Sequence, residues 1–260
     1  MSIPLSKAKY ASRAVFSPRD FIDYARRSGF LGDAPAPAAA ILCYQRSLFD
    51  YVRANHAVEA HPDYFGSNLQ YLLDSGRSVA LVGRFGVGAP AAAVMLEELA
   101  AWGVERFVSI GTAGALVEGL EIGSIVVCEG AFRDEGVSYH YLPAGDRAYP
   151  CEKGTRALEA AFDAAGLPWR RCVSWTTDAI YRETPADLAE LRARGATVAE
   201  MEAAALFAVA RYRGARIASC FTVSDIVADD EWHPEFHSEE THGGLEALFK
   251  ASLAALSAPW

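Results

Sequence analysis

Two carboxylates lie close together in the sequence where a strand-like run gives way to an apolar helix. Glu200 and Glu202 flank Met201, and residues 203–209 after them are all alanine, leucine, phenylalanine or valine. A carboxylate at the edge of a buried helix needs hydrogen-bond donors, because burial without them destabilises its charged form. An ionised glutamate only accepts hydrogen bonds, and two adjacent sugar hydroxyls supply two donors at a suitable spacing. The pattern therefore predicts a sugar site at Glu202.

Two glycine-containing segments lie where predicted strands end. Residues 83–90 read Gly-Arg-Phe-Gly-Val-Gly-Ala-Pro before a helix, and residues 111–114 read Gly-Thr-Ala-Gly. Glycine lets a backbone approach a ligand closely, and a helix N-terminus favours an anion. We expect Gly111 and Gly114 to form a turn that presents amide donors to a small anion, with the Thr112 hydroxyl beside them. Each segment alone is also compatible with an ordinary turn between elements.

Polar and aromatic side chains follow other predicted strands. Residues 133–141 contain two tyrosines and His140, which could line a sugar or a base, although an ordinary surface loop has the same composition. Asp225 ends the last strand of the predicted core. An aspartate in a dry pocket there can act as a general acid when its pKa is raised, and the alternative is an aspartate that caps a helix.

Residues 177–184 connect a predicted strand to a predicted helix. Tyr181 could pack on a base here, and Arg182 could hydrogen-bond to it. The structural alternative is that Thr184 caps the helix, because a capping threonine is often followed by a proline such as Pro185 at the first helical position.

Strand-like and helical segments alternate along most of the chain. Strands are predicted at residues 78–83, 106–110, 124–128, 172–175, 196–199 and 215–223, and helices at residues 91–102, 153–165, 185–194, 201–212 and 239–257. Such alternation predicts one α/β domain over residues 1–260, with three layers and a central mixed, mostly parallel sheet flanked by helices. Residues 1–40 are weakly patterned and include a predicted linker at residues 34–40. Ligands in such folds bind beyond the carboxyl ends of strands, where the motifs above fall.

Charge and composition exclude several classes of function. The net charge of −9 disfavours nucleic acid as a partner, because that interaction requires a basic surface. No apolar run approaches the roughly 20 residues of a membrane span, and no secretory signal is recognisable, so no membrane partner is expected. The five cysteines are scattered and never form a C-x-x-C pair. They indicate reduced thiols and a cytoplasmic protein.

Three histidines lie among acidic residues near the end of the sequence. His233, His237 and His242 fit no common zinc spacing, so we interpret this region as a solvated acidic loop and predict no metal site. A serine hydrolase of the α/β type is also excluded, because the chain has no G-x-S-x-G motif.

Taken in order, these motifs resemble those of the nucleoside phosphorylase family that includes uridine phosphorylase and the hexameric purine nucleoside phosphorylases. The resemblance extends over residues 78–226, more than half of the chain. The matching positions are residues 86–90, 97–99, 111–114, 123, 134–140, 200–202 and 224–225. Their order and spacing are far more specific than any single motif.

The resemblance implies phosphorolysis of a nucleoside by inorganic phosphate, without a metal or an organic cofactor. Glu202 and Asp225 would be catalytic: the first would hold the ribose hydroxyls, and the second would protonate or hydrogen-bond the departing base. The other implied assignments are Met201, Glu200 and His140 at the ribose, Thr112, Gly111 and Gly86 at the phosphate, and Tyr181, Arg182 and Thr177 at the base. The family also implies a homo-oligomer, either a dimer or a hexamer.

The chain departs from the family where phosphate binds. Members usually carry an arginine two residues before the Gly-Thr pair, where this chain has Ser109. Their N-terminal Gly-Asp-Pro-x-Arg loop is also missing, and residues 41–46 take its place. We hypothesise that Arg84, together with Arg46, supplies the missing positive charge. The base stays open, because the glutamine and arginine that read uracil in uridine phosphorylases are absent after Tyr181.

Two alternatives to a phosphorylase remain. An N-ribosyl hydrolase on the same fold would use water in place of phosphate, and the missing arginines favour it. A nucleoside-binding protein without catalysis would bind its ligand without turnover, and the presence of both Glu202 and Asp225 argues against it. The products formed with and without phosphate distinguish these possibilities.

Overall fold

A computed structural model describes residues 3–227, 231–258 and 260. The helices of these residues are α1 (Pro18–Arg27), α2 (Arg46–Asn55), α3 (Ala89–Trp102), α4 (Glu152–Ala164), α5 (Pro185–Ala193), α6 (Ala203–Arg213) and α7 (Glu239–Ser257). The strands are β1 (Ala39–Cys43), β2 (Val58–Ala60), β3 (Leu69–Leu72), β4 (Val79–Val82), β5 (Arg106–Ala115), β6 (Ile125–Asp134), β7 (Arg147–Ala148), β8 (Trp169–Thr177), β9 (Val198–Glu200), β10 (Arg216–Val227) and β11 (Trp232–Pro234).

The strands form one mixed sheet in the order β11-β10-β6-β8-β9-β5-β1-β4-β3-β2, with β7 beside β6. Strand β10 also pairs with β5, so that β5, β10, β6, β8 and β9 form a closed ring. The two longest pairings, β5 with β10 and β6 with β8, are parallel. The α/β fold with a central mixed sheet, predicted from the sequence, is therefore confirmed.

Helices cover the sheet on both faces. Apolar side chains of α1, α3 and α6 form one core with the sheet, and those of α2, α4 and α7 form a second core. A smaller cluster packs α5 against β6, β8 and β9. In α6 every residue from Ala203 to Ala210 is buried, because the helix lies between α3 and the sheet. Within the described residues, we find no helix that combines the length and the apolar character of a membrane span.

The structure corrects the prediction for the N-terminal part of the chain. Residues 18–27, which are weakly patterned, form α1, and the side chains of Ser17 and Asp20 cap its N-terminus reciprocally. Ala39 and Ala40, placed in a linker by the sequence, begin β1 and are fully buried. A continuous run of five apolar residues shows no alternation with polar residues, so the sequence does not identify β1 as a strand. Its pairing with β4 and β5 does.

The structure also corrects the conformation predicted for the glycine segment at residues 111–114. It does not form a turn, because β5 continues through it to Ala115 in parallel register with β10. The sequence prediction ended this strand at Ile110 since two glycines in four residues usually mark a turn. Here the long β10 partner supplies hydrogen bonds that keep the glycines extended.

Candidate functional site

Strand β5 changes its neighbour halfway along its length. Strand β1 pairs with it as far as Ile110, and β9 pairs with it from Gly114 onward. Among the described strands, only β10 pairs with residues 111–113 between these points, which leaves a gap in the pairing on the other side of β5. The ends of β1 and β9 therefore converge on this gap from opposite directions, and the residues that follow them, Tyr44 and Met201, lie next to it.

Glu200 fixes the turn that leads from β9 into α6. One of its carboxylate oxygens accepts hydrogen bonds from the backbone N–H groups of Glu202 (2.8 Å) and Ala203 (2.7 Å). The other accepts a hydrogen bond from the hydroxyl of Thr176, whose oxygen in turn accepts one from the N–H of Ala204 at 3.0 Å. These donors are the free N–H groups of a helix N-terminus, where a carboxylate is favoured. Glu200 thus positions the residues around it.

Glu202 is buried at the N-terminus of α6 and faces the glycine segment before α3. Its Oε1 accepts a hydrogen bond of 2.5 Å from the backbone N–H of Gly88. The pKa of Glu202 is raised to about 8, chiefly by burial and in part by the negative charge of Glu200, against the lowering effect of the Gly88 hydrogen bond. Gly88 has a φ of +89°, and a Cβ there would lie 3.8 Å from Met201 Cε. Backbone conformation, more than space, therefore requires glycine at this contact.

The wall of the gap nearest β1 consists of uncharged polar groups. The phenol oxygen of Tyr44 lies 2.8 Å from the Ser109 hydroxyl, and Gln45 Nε2 donates to Thr112 Oγ1 at 3.0 Å. A Cβ on Gly111 would lie 3.1 Å from the Tyr44 ring, so glycine allows the ring to approach closely. Burial raises the pKa of Tyr44, and the charges of Glu202 and Glu200 add to the effect. The phenol is therefore a neutral group at physiological pH.

The two arginines that we assigned to phosphate both pair with Asp50 on α2. Arg84 donates from Nη2 to Asp50 Oδ1 and lies over the ring of Phe49, with 5.2 Å between its Cζ and the ring centroid. Arg46 lies 3.4 Å from the other oxygen of the same carboxylate and is largely exposed. Arg84 also has a φ of 61°, in the left-handed region that non-glycine residues rarely adopt. Their phosphate roles stay predictions.

Asp225 lies on β10 at a bulge in the pairing with β5 and is buried. Its Oδ1 accepts a hydrogen bond from the Ser224 hydroxyl at 2.8 Å, and its Oδ2 accepts one from the indole N–H of Trp232 at 2.9 Å. Both carboxylate oxygens are thus engaged, and Asp225 does not cap a helix. The pKa of the neighbouring Glu183 is raised to about 7, chiefly by burial and in part by the charge of Asp225.

The predicted base-binding segment is divided between the interior and the surface. Thr177 is buried, and its hydroxyl accepts a hydrogen bond from the N–H of Ala179 at 3.1 Å. Tyr181 and Arg182 are exposed, Tyr181 to 93%. Thr184 caps α5 through a reciprocal pair with Asp187, which confirms the structural alternative for that residue. The base-binding roles of the other three are untested and stay predictions.

His140 lies on a short 3-10 helix and is exposed. Its Nδ1 is 2.8 Å from Nζ of Lys9, and the neighbouring Tyr139 carbonyl accepts a hydrogen bond from Tyr10 at 2.6 Å. The N-terminal segment therefore packs on this loop. Among the described residues we find no hydrogen bond between His140 and Glu202, so its ribose role also stays a prediction.

The structure therefore brings several predicted residues together and adds others. Gly88, Met201 and Glu202 are in contact, and the gap beside Gly111 and Thr112 lies next to them. Gly86 lies in the same connection between β4 and α3, with a φ of +105°. No role was predicted from the sequence for Tyr44, Gln45, Trp232 or Glu183. Tyr44 and Gln45 follow the carboxyl end of β1, where ligand-binding residues are often found, but because the sequence does not reveal β1 it does not reveal them either.

The histidine-rich acidic region lies partly outside the described residues, which omit Asp229 and Asp230. His233 Nε2 lies 3.1 Å from Glu231 Oε2, and both side chains are exposed. In the part of the chain that the structure describes, no three histidine, cysteine, aspartate or glutamate side chains are grouped so as to hold a metal ion.

Comparison with known proteins places this fold in a family. The sequence profile of the phosphorylase superfamily matches residues 38–257. A guanosine phosphorylase of Halorubrum lacusprofundi is 31% identical over 177 residues, which are 66% of this chain and 73% of that protein. A uridine phosphorylase of Thermococcus kodakarensis is 32% identical over 147 residues, which are 50% of this chain and 52% of that protein.

Solved structures share the fold at low sequence identity. A purine nucleoside phosphorylase of Toxoplasma gondii superimposes with a TM-score of 0.73 at 19% identity, over 85% of this chain and 91% of that chain. An AMP nucleosidase of Bacteroides thetaiotaomicron superimposes with a TM-score of 0.70 at 18% identity, over 90% of this chain and 96% of that chain. The profile covers most of the chain, and the resemblance found in the motifs is confirmed: this chain belongs to the phosphorylase superfamily.

Proposed function

We propose that this protein is an enzyme that cleaves the N-glycosidic bond of a nucleoside and releases the free base. The observation that carries the proposal is the contact between Glu202 and Gly88 beside the gap in β5. A buried carboxylate with a raised pKa needs further donors to be stable in its charged form. Two adjacent hydroxyls of a ribose supply them, and they place the anomeric carbon over the gap.

Cleavage of this bond develops positive charge on the sugar and negative charge on the base. The carboxylate of Glu202 lies on the sugar side and stabilises the positive charge. Asp225 lies at the other end of the proposed site, where it hydrogen-bonds the departing base. Since Asp225 already accepts from Ser224 and Trp232, its orientation is fixed before the base arrives. Neither step requires a metal or an organic cofactor, and activity is expected to survive treatment with EDTA.

Two molecules are candidates for the group that attacks the anomeric carbon and accepts the pentose. Inorganic phosphate is the prediction from the sequence, and the names of the related phosphorylases support it. Water is the second candidate. The pairing of Tyr44 with Ser109 favours it, because a neutral phenol and hydroxyl occupy the position of the family's phosphate-binding arginine.

A panel of purine and pyrimidine nucleosides, in ribose and 2′-deoxyribose forms, tests the proposal. Each is incubated with the protein in the presence and absence of phosphate, and base and sugar products are resolved by chromatography. Release of a free base from at least one nucleoside is the expected result. Binding of nucleosides without release of base under either condition would support the catalytically inactive alternative. If Arg84→Ala leaves the apparent phosphate affinity unchanged, Arg84 has no role in holding phosphate.

We further propose that the enzyme acts as a homo-oligomer in the cytoplasm. Val87, which directly precedes Gly88 in the glycine segment, and Val94 on α3 are both more than half exposed. A second copy covering them would remove apolar surface from water. All five cysteines are free, which supports a reducing compartment. Light scattering after size-exclusion chromatography measures the number of subunits.

A further inference from the structure

Building on the proposed nucleoside cleavage, we propose that the attacking group is a water molecule held by the side-chain amide of Gln45. The products would then be a free base and a free pentose. Gln45 is the second residue after β1, within residues 41–46, and no substrate-binding role was predicted for it from the sequence. It depends on three observations: an unsatisfied amide, its position at the gap, and the charge of its surroundings.

The amide of Gln45 is only half satisfied. Its Nε2 donates to Thr112 Oγ1 at 3.0 Å, whereas its Oε1 is buried and has no hydrogen-bond partner among the residues that the structure describes. A buried acceptor without a donor is costly, so its position calls for a donor from a ligand or a water. Water both donates and accepts, so it also satisfies the amide when the group turns over and presents its NH2.

The unsatisfied oxygen lies beside the gap in β5. It is 3.6 Å from the point where a Cβ of Gly111 would stand. Gly111 begins the three residues that have a strand neighbour on one side only, and β9 delivers Glu202 to the opposite side of this gap. A water on Gln45 therefore lies on the side of the site from which the anomeric carbon of a sugar held by Glu202 can be attacked.

The charges around the gap disfavour an anion. Glu200 and Glu202 both lie close enough to raise the pKa of Tyr44. Arg84 and Arg46 pair with Asp50 on α2. Phosphate carries between one and two negative charges at neutral pH, and a buried anion is stable only against cations or several aligned donors. Water is uncharged, so its binding here requires no cation.

The reaction step is balanced with water as the only second substrate. The water oxygen forms a bond to the anomeric carbon while the carbon–nitrogen bond breaks, and the electron pair of that bond leaves with the base. The water releases one proton to solvent, and the base nitrogen takes up one proton from solvent. One nucleoside and one water thus give one base and one pentose, without oxidation or reduction.

The first test identifies the attacking group directly. A nucleoside cleaved by the protein is incubated in water enriched in oxygen-18, with and without inorganic phosphate, and the sugar product is analysed by mass spectrometry under conditions that limit exchange. We expect free pentose labelled at its anomeric oxygen and a rate that phosphate changes less than twofold. Pentose 1-phosphate, or a rate that requires phosphate, would overturn the proposal while leaving nucleoside cleavage intact. If no nucleoside is cleaved under either condition, both proposals fail.

The second test concerns Gln45 itself. Gln45→Leu removes the amide and should lower kcat at least tenfold while KM for the nucleoside changes less than threefold, since the sugar is held by Glu202. Gln45→Glu keeps an acceptor oxygen and should retain more of kcat than Gln45→Leu. Gln70→Leu is the matched control: Gln70 is a buried glutamine on β3 whose Nε2 donates to the Ser67 carbonyl at 2.9 Å.

Melting temperatures of the three variants separate loss of folding from loss of catalysis. The proposal is wrong if Gln45→Leu is folded and retains kcat within twofold of the unaltered protein. It is also wrong if Gln45→Leu and Gln70→Leu lower kcat equally, because that result would assign Gln45 a structural role.

Discussion

The carboxylate of Glu202 accepts a hydrogen bond of 2.5 Å from the backbone N–H of Gly88, which precedes it by 114 residues. The contact joins the residues that immediately precede α3 and α6, the two helices that pack against each other on one face of the sheet. Because Gly88 N–H is at a helix N-terminus, it is one of the donors that α3 cannot satisfy itself. The proposed sugar site is thus built from two helix ends that face one another.

Replacement of Glu202 by glutamine tests this site. Two hydrogen bonds from sugar hydroxyls to a charged carboxylate contribute about 1.5 kcal/mol each, so we expect Glu202→Gln to lower kcat/KM roughly 100-fold. Steady-state kinetics on a cleaved nucleoside measure the change. Glu98→Gln on α3, where Glu98 accepts a hydrogen bond from Tyr64 at 2.9 Å, is the control and should stay near the unaltered value. A change below threefold in Glu202→Gln would remove Glu202 from the sugar site.

Nucleoside affinity should depend on pH through Glu202. Its pKa is raised to about 8 by burial and by Glu200, so the ionised form that accepts hydroxyl hydrogen bonds is a minor form at pH 6. We therefore expect the Kd of a nucleoside to fall by up to about tenfold per pH unit between pH 6 and pH 8. Isothermal titration calorimetry measures this dependence. The Glu202→Gln variant should bind weakly with little dependence on pH, and an equal slope in both proteins would contradict the assignment.

The stability of the ligand-free protein should fall as pH rises, whereas nucleoside affinity rises. The folded state keeps a proton on Glu202 up to about pH 8, whereas an unfolded glutamate loses it near its ordinary pKa of 4.5. The folded state binds more protons in this window, so the contribution of Glu202 to the free energy of unfolding falls as pH rises. We expect the melting temperature of Glu202→Gln to exceed that of the unaltered protein by a margin that grows from pH 5 to pH 8. A constant margin would contradict the raised pKa.

An ion pair at the other end of α6 should hold α6 against α3. Arg213 Nη2 donates to Glu97 Oε1 at 2.9 Å and its Nε donates to Oε2 at 2.5 Å, and the Glu97 side chain is 9% exposed. Removing one partner of such a buried pair leaves a charge unpaired, so Arg213→Ala should lower the free energy of unfolding by about 2–3 kcal/mol. Urea denaturation measures the change.

The matched control for this pair is Arg156→Ala. Arg156 pairs with Glu152 one turn away on α4, where both side chains are at least 70% exposed. We expect less than about 0.5 kcal/mol of destabilisation from its removal. Equal effects of Arg156→Ala and Arg213→Ala would show that burial of Glu97 does not strengthen its pair.

The indole of Trp232 should orient Asp225 for the departing base. Trp232→Phe keeps an aromatic ring but removes the donor that bonds Asp225 Oδ2 at 2.9 Å. A hydrogen bond to a charged group contributes about 1.5 kcal/mol, so kcat/KM should fall roughly tenfold. Trp169→Phe is the control, because the Trp169 indole donates to Asp163 at 2.8 Å and not to Asp225. If the two variants have equal activity, Trp232 has no part in orienting Asp225.

Capping residues and apolar periodicity were sufficient to predict several helices. α3 ends before Gly103 as expected, Thr184 and Asp187 cap α5, and α7 covers residues 239–257 as predicted. These signals are local, because a cap and the helix it ends lie within one turn of each other. Strands without a local signal were harder to predict from the sequence. Both β1 and the continuation of β5 through Gly111 depend on partner strands distant in sequence.

The sequence alone determined the family and the carboxylates at its centre. Glu200 and Glu202 are recognisable because two acidic residues before a fully apolar helix are unusual, and the ordered glycine motifs specify the phosphorylase superfamily. Only the tertiary structure decided what surrounds them. Tyr44 meets Ser109 across 65 residues and Arg84 meets Asp50 across 34, so no local pattern reveals either pair. Charge and hydrogen bonding in a site depend on which side chains folding brings together, and the sheet sets those neighbours.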